Sequence, residues 1–234
     1  MVNIMRSRFD EQLKVLNKKM IEMGAECEEL IALVAKALLN GDVEGARKAK
    51  EQGHEIDQME REIEAICLKL LLQQQPVAKD LRVISAALKM ITDMERIGDI
   101  ADDITIHSVM LKESRSNVIV DEAVKMGRVA VSMLKSSINA YVSGDVELAL
   151  NSCREDDIID DLFDTVMKQL VEMIKTDAKG ADEAPDLLMI TKYFERMGDH
   201  TVNIAEWVVY AYTGTRNIDL DSEKGIDEAL SCIL

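Results

Sequence analysis

Apolar residues recur at alternating spacings of four and three positions over the first part of the chain. The series consists of Phe9, Leu13, Leu16, Met20, Met23, Cys27, Leu30, Val34 and Leu38. This heptad-like seam predicts a long helix, over about residues 6–39, that packs against other helices. Gly41 ends it, since glycine accepts the left-handed backbone conformation that follows many helices, and Asp42 is a suitable cap for the next helix.

Two more helices are predicted before the pattern is interrupted. The second begins at Val43 and ends near Gln73, because Pro76 disfavours helical backbone in the residue before it. The third follows Pro76 and starts with an apolar seam. In its second half the same steps reach residues that are not apolar: Glu95, Gly98, Asp102 and Thr105. Polar groups on a seam that should be buried make this region a candidate functional site.

The arrangement then starts again. After a polar connector near residues 112–117, a fourth seam matches the first at an offset of 103 residues. Ser143-Gly144-Asp145 matches Asn40-Gly41-Asp42 at the same offset. A fifth helix is predicted over about residues 146–175, and a sixth over about residues 184–214.

These six long helices predict an all-α fold, a tandem repeat of two three-helix antiparallel bundles. The first repeat covers residues 1–116, the second covers 117–214, and a C-terminal tail over 215–234 has room for a short helix from about Ser222. An aromatic content of 3% and only two prolines agree with long helices and argue against a β-sandwich or barrel.

The net charge of −16 argues against nonspecific nucleic-acid binding and against an anionic membrane surface. It is compatible with cation binding and equally with plain solubility. No apolar run approaches the roughly 20 residues that a membrane span needs, and Met1 to Asp10 has no apolar signal-peptide core. The four cysteines are far apart in the sequence, which predicts reduced thiols in a cytoplasmic protein.

One pentapeptide is duplicated inside the third and sixth helices. The copies are Glu95-Arg96-Ile97-Gly98-Asp99 and, 100 residues later, Glu195-Arg196-Met197-Gly198-Asp199. The Glu and Asp of each copy are four positions apart, so both carboxylates lie on one helix face about one turn apart. Two oxygen ligands at this spacing suit a hard or borderline cation.

The second helix of each repeat supplies further acids at an offset of 103 residues. In the second repeat these are Asp156 and Asp160, whereas the equivalent positions of the first repeat hold Gly53 and Asp57. Facing helices that each present carboxylates are how helical bundles build multinuclear metal sites. His200, directly after Asp199, is a candidate extra ligand.

Two interpretations of these acids remain open from the residues alone. Acid pairs four positions apart are frequent by chance in a chain with 44 acidic residues, and then they are solvated helix faces. The duplicated pentapeptide is also explained as a packing device in which Gly98 and Gly198 let helices approach closely. Packing explains the glycines better than it explains Glu, Arg and Asp.

At this point the chain resembles the PhoU family of phosphate-uptake regulators, and the similarity covers nearly all of it. The supporting stretches are Gln75-Pro76, Asp80-Leu81-Arg82, the run from Glu95 to Asp102, Arg154-Glu155-Asp156 leading to Asp160, and Glu195 to Asp199. The resemblance implies two three-helix bundles with E(D)-x-x-x-D motifs that bind multinuclear clusters of iron, or of zinc or other divalent ions.

The resemblance also implies a function. The chain is then a negative regulator of phosphate uptake and of phosphate-starvation signalling, a cytoplasmic adaptor at the membrane periphery rather than an enzyme. Its implied partners are the ATPase subunit of the phosphate ABC transporter and a PhoR-type sensor kinase, and a homodimer is compatible with the sequence. The alternative is a carboxylate-bridged multinuclear metalloenzyme, a hydrolase or oxidase, for which the sequence shows no supporting histidine pair.

The family's ligands carry over onto seven positions of this chain. The motif residues are Glu95 with Asp99, Asp156 with Asp160, Glu195 with Asp199, and Asp57. The chain departs from the family at Gly53, where an acid is expected. This departure predicts that the first site is weaker, holds fewer ions, or recruits Glu55, Asp102 or Asp103.

Overall fold

The computed structural model describes residues 2–73, 76–111, 117–176 and 180–216, and all regular structure in these ranges is helical. The elements are α1 (Val2–Asn40), α2 (Val43–Gln73), α3 (Ala78–Met110), α4 (Asn117–Ser143), α5 (Val146–Arg154), α6 (Asp156–Thr176), a 3₁₀ turn (Gly180–Asp182) and α7 (Ala184–Thr213). The predicted all-α class and the tandem repeat are confirmed. The repeat boundaries at residues 116 and 214 stay predictions, and the predicted tail helix lies outside the described residues.

The turns that join the helices repeat as the sequence pattern predicts. Gly41 and Gly144, which are 103 residues apart, both have positive φ angles, of 64° and 74°. The aspartate after each glycine caps the next helix: Asp42 Oδ1 accepts a hydrogen bond from the backbone N–H of Gly45, and Asp145 Oδ1 accepts one from Leu148, each at 3.0 Å. Each repeat therefore begins with the same tight helical hairpin.

The prediction of one continuous fifth helix is wrong, because the helix is interrupted at Glu155. The backbone N–H of Glu155 bonds the Ser152 carbonyl at 3.2 Å, and that of Ile158 bonds the Glu155 carbonyl at 3.1 Å. Both bonds join residues that are three positions apart, which is the 3₁₀ pattern, so the helix is tighter for one turn. The Ser152 hydroxyl is also held from outside, since it donates to the Met133 carbonyl of α4 at 2.8 Å. Asp156 therefore lies in the first turn of a new helix, where a negative charge is favourable.

The two helices that carry the duplicated pentapeptide, α3 and α7, pack against each other in antiparallel orientation. Two side-chain hydrogen bonds join these helices: His107 Nδ1 with Asp186 Oδ1 at 2.8 Å, and His200 Nδ1 with Asp93 Oδ1 at 2.9 Å. One hydrophobic core contains buried side chains from all seven helices, so the repeats share a core. The opposite sides of α3 and α7 pack against α2 and α6, and the acidic residues lie along those contacts.

The described cysteines occupy apolar positions, as predicted. Cys27, Cys67 and Cys153 are buried free thiols, and burial raises the pKa of Cys67 and of Cys153 to about 12. Cys232 lies outside the described residues. Thiols of this kind are part of the core and are poor nucleophiles.

Candidate metal centre

Three predicted ligands of the first repeat converge between α2 and α3. One carboxylate oxygen from each of Asp57, Glu95 and Asp99 lies within 4.8 Å of the other two. In the described part of the chain, this is the one group of three acidic, histidine or cysteine ligand atoms that lie so close together. The helices approach closely at this level, since a Cβ atom on Gly98 would lie 3.6 Å from Cγ2 of Ile56. Oxygen ligands so arranged suit a hard divalent cation.

In the first cluster, burial and mutual repulsion disfavour ionisation of all three carboxylates at once. Burial, and then the charge of Asp99, raise the pKa of Glu95. Arg96 partly offsets this effect, because its guanidinium lies 3.0 Å from Asp99 Oδ2 and 3.7 Å from Glu95 Oε2. His54 Nδ1 also lies 3.8 Å from Asp57 Oδ2, at the edge of the cluster.

The four predicted ligands of the second repeat lie along α6 and α7. Asp156 packs directly on the backbone of α7, since a Cβ atom on Gly198 would lie 2.7 Å from Asp156 Oδ1. Burial, followed by the charges of Asp160, Asp199 and Glu195, raises the pKa of Asp156 to about 7. Burial, and then Glu195, also raise the pKa values of Asp160 and Asp199. The four carboxylates therefore act on one another.

The second cluster differs from the first in two respects. Within the described ranges, its four acids do not bring three ligand oxygens within 4.8 Å of one another. A lysine also enters it, because Lys192 Nζ lies 2.5 Å from Glu195 Oε1. The other oxygen of this carboxylate, Oε2, is buried and has no hydrogen-bond partner. A buried carboxylate oxygen without a donor is suited to a cation.

The additional candidate ligands have other partners. Asp102 Oδ2 pairs with Lys50 Nζ at 3.2 Å, while its Oδ1 is buried without a hydrogen-bond partner. The Asp103 carboxylate accepts a hydrogen bond from the Tyr193 hydroxyl on α7. Burial is the main cause of the raised pKa of Tyr193, and the charge of Asp103 adds to it. His200 Nδ1 contacts Asp93, across the contact between α3 and α7. The structure thus brings the seven main candidates into two clusters and directs Asp103 and His200 to the contact between the repeats.

In metal-free protein, the contribution of Asp156 to stability is expected to fall as the pH rises from about 4 to about 8. Asp156 holds its proton more tightly in the folded chain, where its pKa is about 7, than in the unfolded chain, where it is 3.8. A folded-state pKa above the unfolded value favours the protonated fold, so that stabilisation is lost as the proton leaves. The full shift corresponds to about 4 kcal/mol, and partial exposure reduces this to about 1–2 kcal/mol.

Asp156→Asn supplies the control for this pH dependence. In urea unfolding with a chelator present, we expect the variant to be the more stable protein at pH 8 and to lose this advantage at pH 4. A difference between parent and variant that is the same at both pH values would contradict the assignment.

Comparisons with known proteins agree with the repeat and the fold. The family model described as PhoU domain matches the chain twice, over residues 20–105 and 123–208. A phosphate-specific transport system accessory protein PhoU homolog of Clostridium acetobutylicum is 34% identical over 217 residues, which are 92% of this chain and 99% of that protein. One of Synechocystis is 36% identical over 213 residues, 90% of this chain and 94% of that protein.

Two solved structures are also similar. The crystal structure of PhoU from Pseudomonas aeruginosa has a TM-score of 0.81 at 30% identity, covering 88% of this chain and 100% of that one. The structure of the phosphate transport system regulatory protein PhoU from Streptococcus pneumoniae has a TM-score of 0.82 at 27% identity, covering 89% and 99%. None of the described helices has the length and apolar character required to cross a membrane. With both repeats matched by the family model, the chain belongs to the PhoU family.

Proposed function

We propose that this chain is a regulatory accessory protein of a phosphate transport system and that it binds cations at two carboxylate clusters. The observation that carries the proposal is the convergence of Asp57, Glu95 and Asp99, whose oxygens lie within 4.8 Å of one another. Glu95 and Asp99 belong to the duplicated pentapeptide. Iron is the foremost candidate, and zinc or other divalent ions are alternatives. In each cluster several ions bridged by carboxylates are compatible with the acids present.

The residues of both clusters fit a cation on electrostatic grounds. Burial and like charges raise the pKa values of Glu95, Asp156, Asp160 and Asp199, so the ionised clusters are unfavourable without a counter-charge. A bound cation would neutralise this charge and join two helices in each repeat, α2 to α3 and α6 to α7. Its role in this proposal is to fix the helical surface that a partner recognises.

The proposed partners are the ATPase subunit of the phosphate ABC transporter and a PhoR-type sensor kinase, and the proposed effect is negative regulation of phosphate uptake and of phosphate-starvation signalling. The relatives' names, which describe accessory proteins of phosphate-specific transport, support the transporter as partner and an adaptor rather than an enzyme. We place the protein in the cytoplasm, at the periphery of the transporter complex.

A complementation experiment tests the regulatory role. In a bacterial strain that lacks its own PhoU protein, the parent chain is expected to restore repression of a phosphate-starvation reporter at high phosphate. The ATPase subunit should also be recovered with the tagged parent, and less of it after chelation. A well-expressed, folded parent that neither represses the reporter nor recovers the ATPase subunit or the kinase would refute the proposal.

Gly53→Asp is expected to strengthen cation binding at the first cluster by about tenfold, about 1.4 kcal/mol. A Cβ atom at Gly53 would meet only the Gly98 carbonyl oxygen, at 3.8 Å, so a side chain fits there. The variant supplies the carboxylate that Asp156 supplies in the second repeat. Gly53→Asn is the control of the same shape without the charge. Both are measured by calorimetric titration with Mn²⁺ in a Glu195→Gln/Asp199→Asn background, and equal affinities for the Asp and Asn variants would contradict the prediction.

A further inference from the structure

We propose that Lys192 is an internal counter-cation of the second cluster, whose ammonium group must leave Glu195 before a metal ion binds there. The inference rests on the proposed cation binding and concerns its regulation. It makes the two clusters unequal, since the position equivalent to Lys192 in the first repeat is Thr92. The second cluster then binds cations less tightly than its four carboxylates alone would allow.

The position of the Lys192 ammonium resembles that of a bound cation. Lys192 is one helical turn before Glu195 on α7, and its Nζ lies 2.5 Å from Glu195 Oε1. The same Nζ lies 5.3 Å from the centre of the Phe163 ring on α6. The side chain therefore extends from one helix of the cluster towards the other.

The charge of Lys192 reaches acids on both helices. It acts to lower the pKa of Asp160 on α6 and that of Asp199 on α7, against the larger effect of burial. One ammonium group thus offsets part of the repulsion in the cluster, as a metal ion would do more strongly. The Glu195 side chain is 16% exposed and that of Lys192 is 45% exposed, so this ion pair is partly screened by water, but less than a pair with both partners in solvent.

The first cluster is balanced differently. The position equivalent to Lys192, 100 residues earlier, is Thr92. Its hydroxyl donates to the Leu88 carbonyl at 3.3 Å and to Glu60 Oε1 at 3.4 Å. A nearby positive charge is that of Arg96, which lies 3.0 Å from Asp99 Oδ2 and 3.7 Å from Glu95 Oε2; its side chain is 56% exposed, against 45% for that of Lys192. Because the distance from Arg96 to Glu95 is longer than the 2.5 Å between Lys192 and Glu195, Arg96 competes more weakly with a metal ion for the motif glutamate.

This difference has a direct thermodynamic consequence. A cation that binds the second cluster must replace the contact between Lys192 and Glu195, and the free energy of that contact is subtracted from its own binding free energy. At the first cluster the equivalent residue, Thr92, carries no charge that a cation must displace. Removing Lys192 should therefore tighten cation binding, even though it removes a favourable contact from the metal-free protein.

The experiment exchanges the two residues. Lys192→Thr gives the second cluster the residue of the first, and Thr92→Lys does the reverse at an exposed helix position. Each is titrated with Mn²⁺, and free Mn²⁺ is measured by electron paramagnetic resonance. The other cluster is neutralised in each case, by Glu95→Gln/Asp99→Asn or by Glu195→Gln/Asp199→Asn. The melting temperature is recorded in parallel in the presence of a chelator.

We expect Lys192→Thr to bind Mn²⁺ about tenfold more tightly at the second cluster while its metal-free melting temperature falls. Thr92→Lys should weaken binding at the first cluster by a similar factor. If parent and Lys192→Thr bind Mn²⁺ equally, or the variant binds more weakly, Lys192 is a structural residue and the inference fails while cation binding stands. If the parent binds no Mn²⁺ at either cluster, the proposed cation binding fails together with the inference, and the regulatory role is decided by the complementation experiment. Should Lys192→Thr not fold, an unchanged affinity in Thr92→Lys would still overturn the inference.

Discussion

Gly127→Ala is expected to lower the free energy of unfolding by about 2 kcal/mol, which corresponds to a melting temperature about 4–8 °C lower. A Cβ atom on Gly127 of α4 would lie 2.7 Å from Cε1 and 3.1 Å from Cδ1 of the Phe194 ring. The ring is fully buried and cannot move aside without displacing its neighbours. Because Phe194 directly precedes Glu195, the same change is expected to shift the part of α7 that carries the second cluster.

Gly98→Ala is the matched control, because it introduces the same methyl group into another buried helical position. There the new Cβ would meet Ile56 at 3.6 Å, an ordinary van der Waals distance. Alanine favours helix over glycine by up to about 1 kcal/mol, so this variant should be at least as stable as the parent. Both are measured by thermal and urea unfolding. Equal effects of the two substitutions would show that the close contact between α4 and α7 is not as described.

A saturating cation is expected to stabilise the parent by about 2.7 kcal/mol for each cluster when its free concentration is 100 times the Kd. Glu195→Gln/Asp199→Asn should reverse the order of stability. In a chelator the double variant is expected to melt above the parent, because relief of the repulsion among the four carboxylates outweighs loss of the contact between Lys192 and Glu195: the charge of Glu195 acts on Asp160 and Asp199 more strongly than that of Lys192 does. With saturating Zn²⁺ or Fe²⁺ the parent should melt above the variant, which keeps only the first cluster.

Melting curves with and without the cation, at pH 7.5, measure this exchange of order. A variant that gains as much from the cation as the parent would show that the second-repeat acids are a solvated face. The charge-preserving control is Glu195→Asp, which shortens the side chain but retains the carboxylate. It should behave more like the parent than like the double variant.

The fold was predictable because the hydrophobic pattern of each helix is local in the sequence and occurs in both repeats. The apolar seams fix each helix, and the offset of 103 residues between Gly41 and Gly144 repeats the first hairpin in the second half. The break at Glu155 was not predictable in this way. The break accompanies a hydrogen bond from the Ser152 hydroxyl to the Met133 carbonyl of α4. A contact with another helix cannot be predicted from the hydrophobic periodicity of the segment itself.

The sequence predicted which helices carry the acidic residues of the site, but not which side chains pair with one another. The spacing of Glu95 and Asp99 puts both on one helix face. Asp57 was predictable as a third ligand because it lies 103 residues before Asp160, and its carboxylate does lie beside theirs. The contact of His200 with Asp93 depends on how α3 packs against α7, and the sequence pattern does not predict that packing. The contact of Lys192 with Glu195 had a visible signal, a lysine three positions before the acid. Its significance emerges only beside Thr92 in the other repeat.

Metal content tests the central claim most directly. Inductively coupled plasma mass spectrometry would be applied to the parent, to Glu95→Gln/Asp99→Asn, to Glu195→Gln/Asp199→Asn and to the combined variant, each purified without chelator and reloaded with Fe²⁺ or Zn²⁺. We expect stoichiometric metal in the parent, less in each double variant and essentially none in the combined variant. The same small metal content in all four folded proteins would contradict cation binding and would leave the acids as a solvated or partner-facing surface.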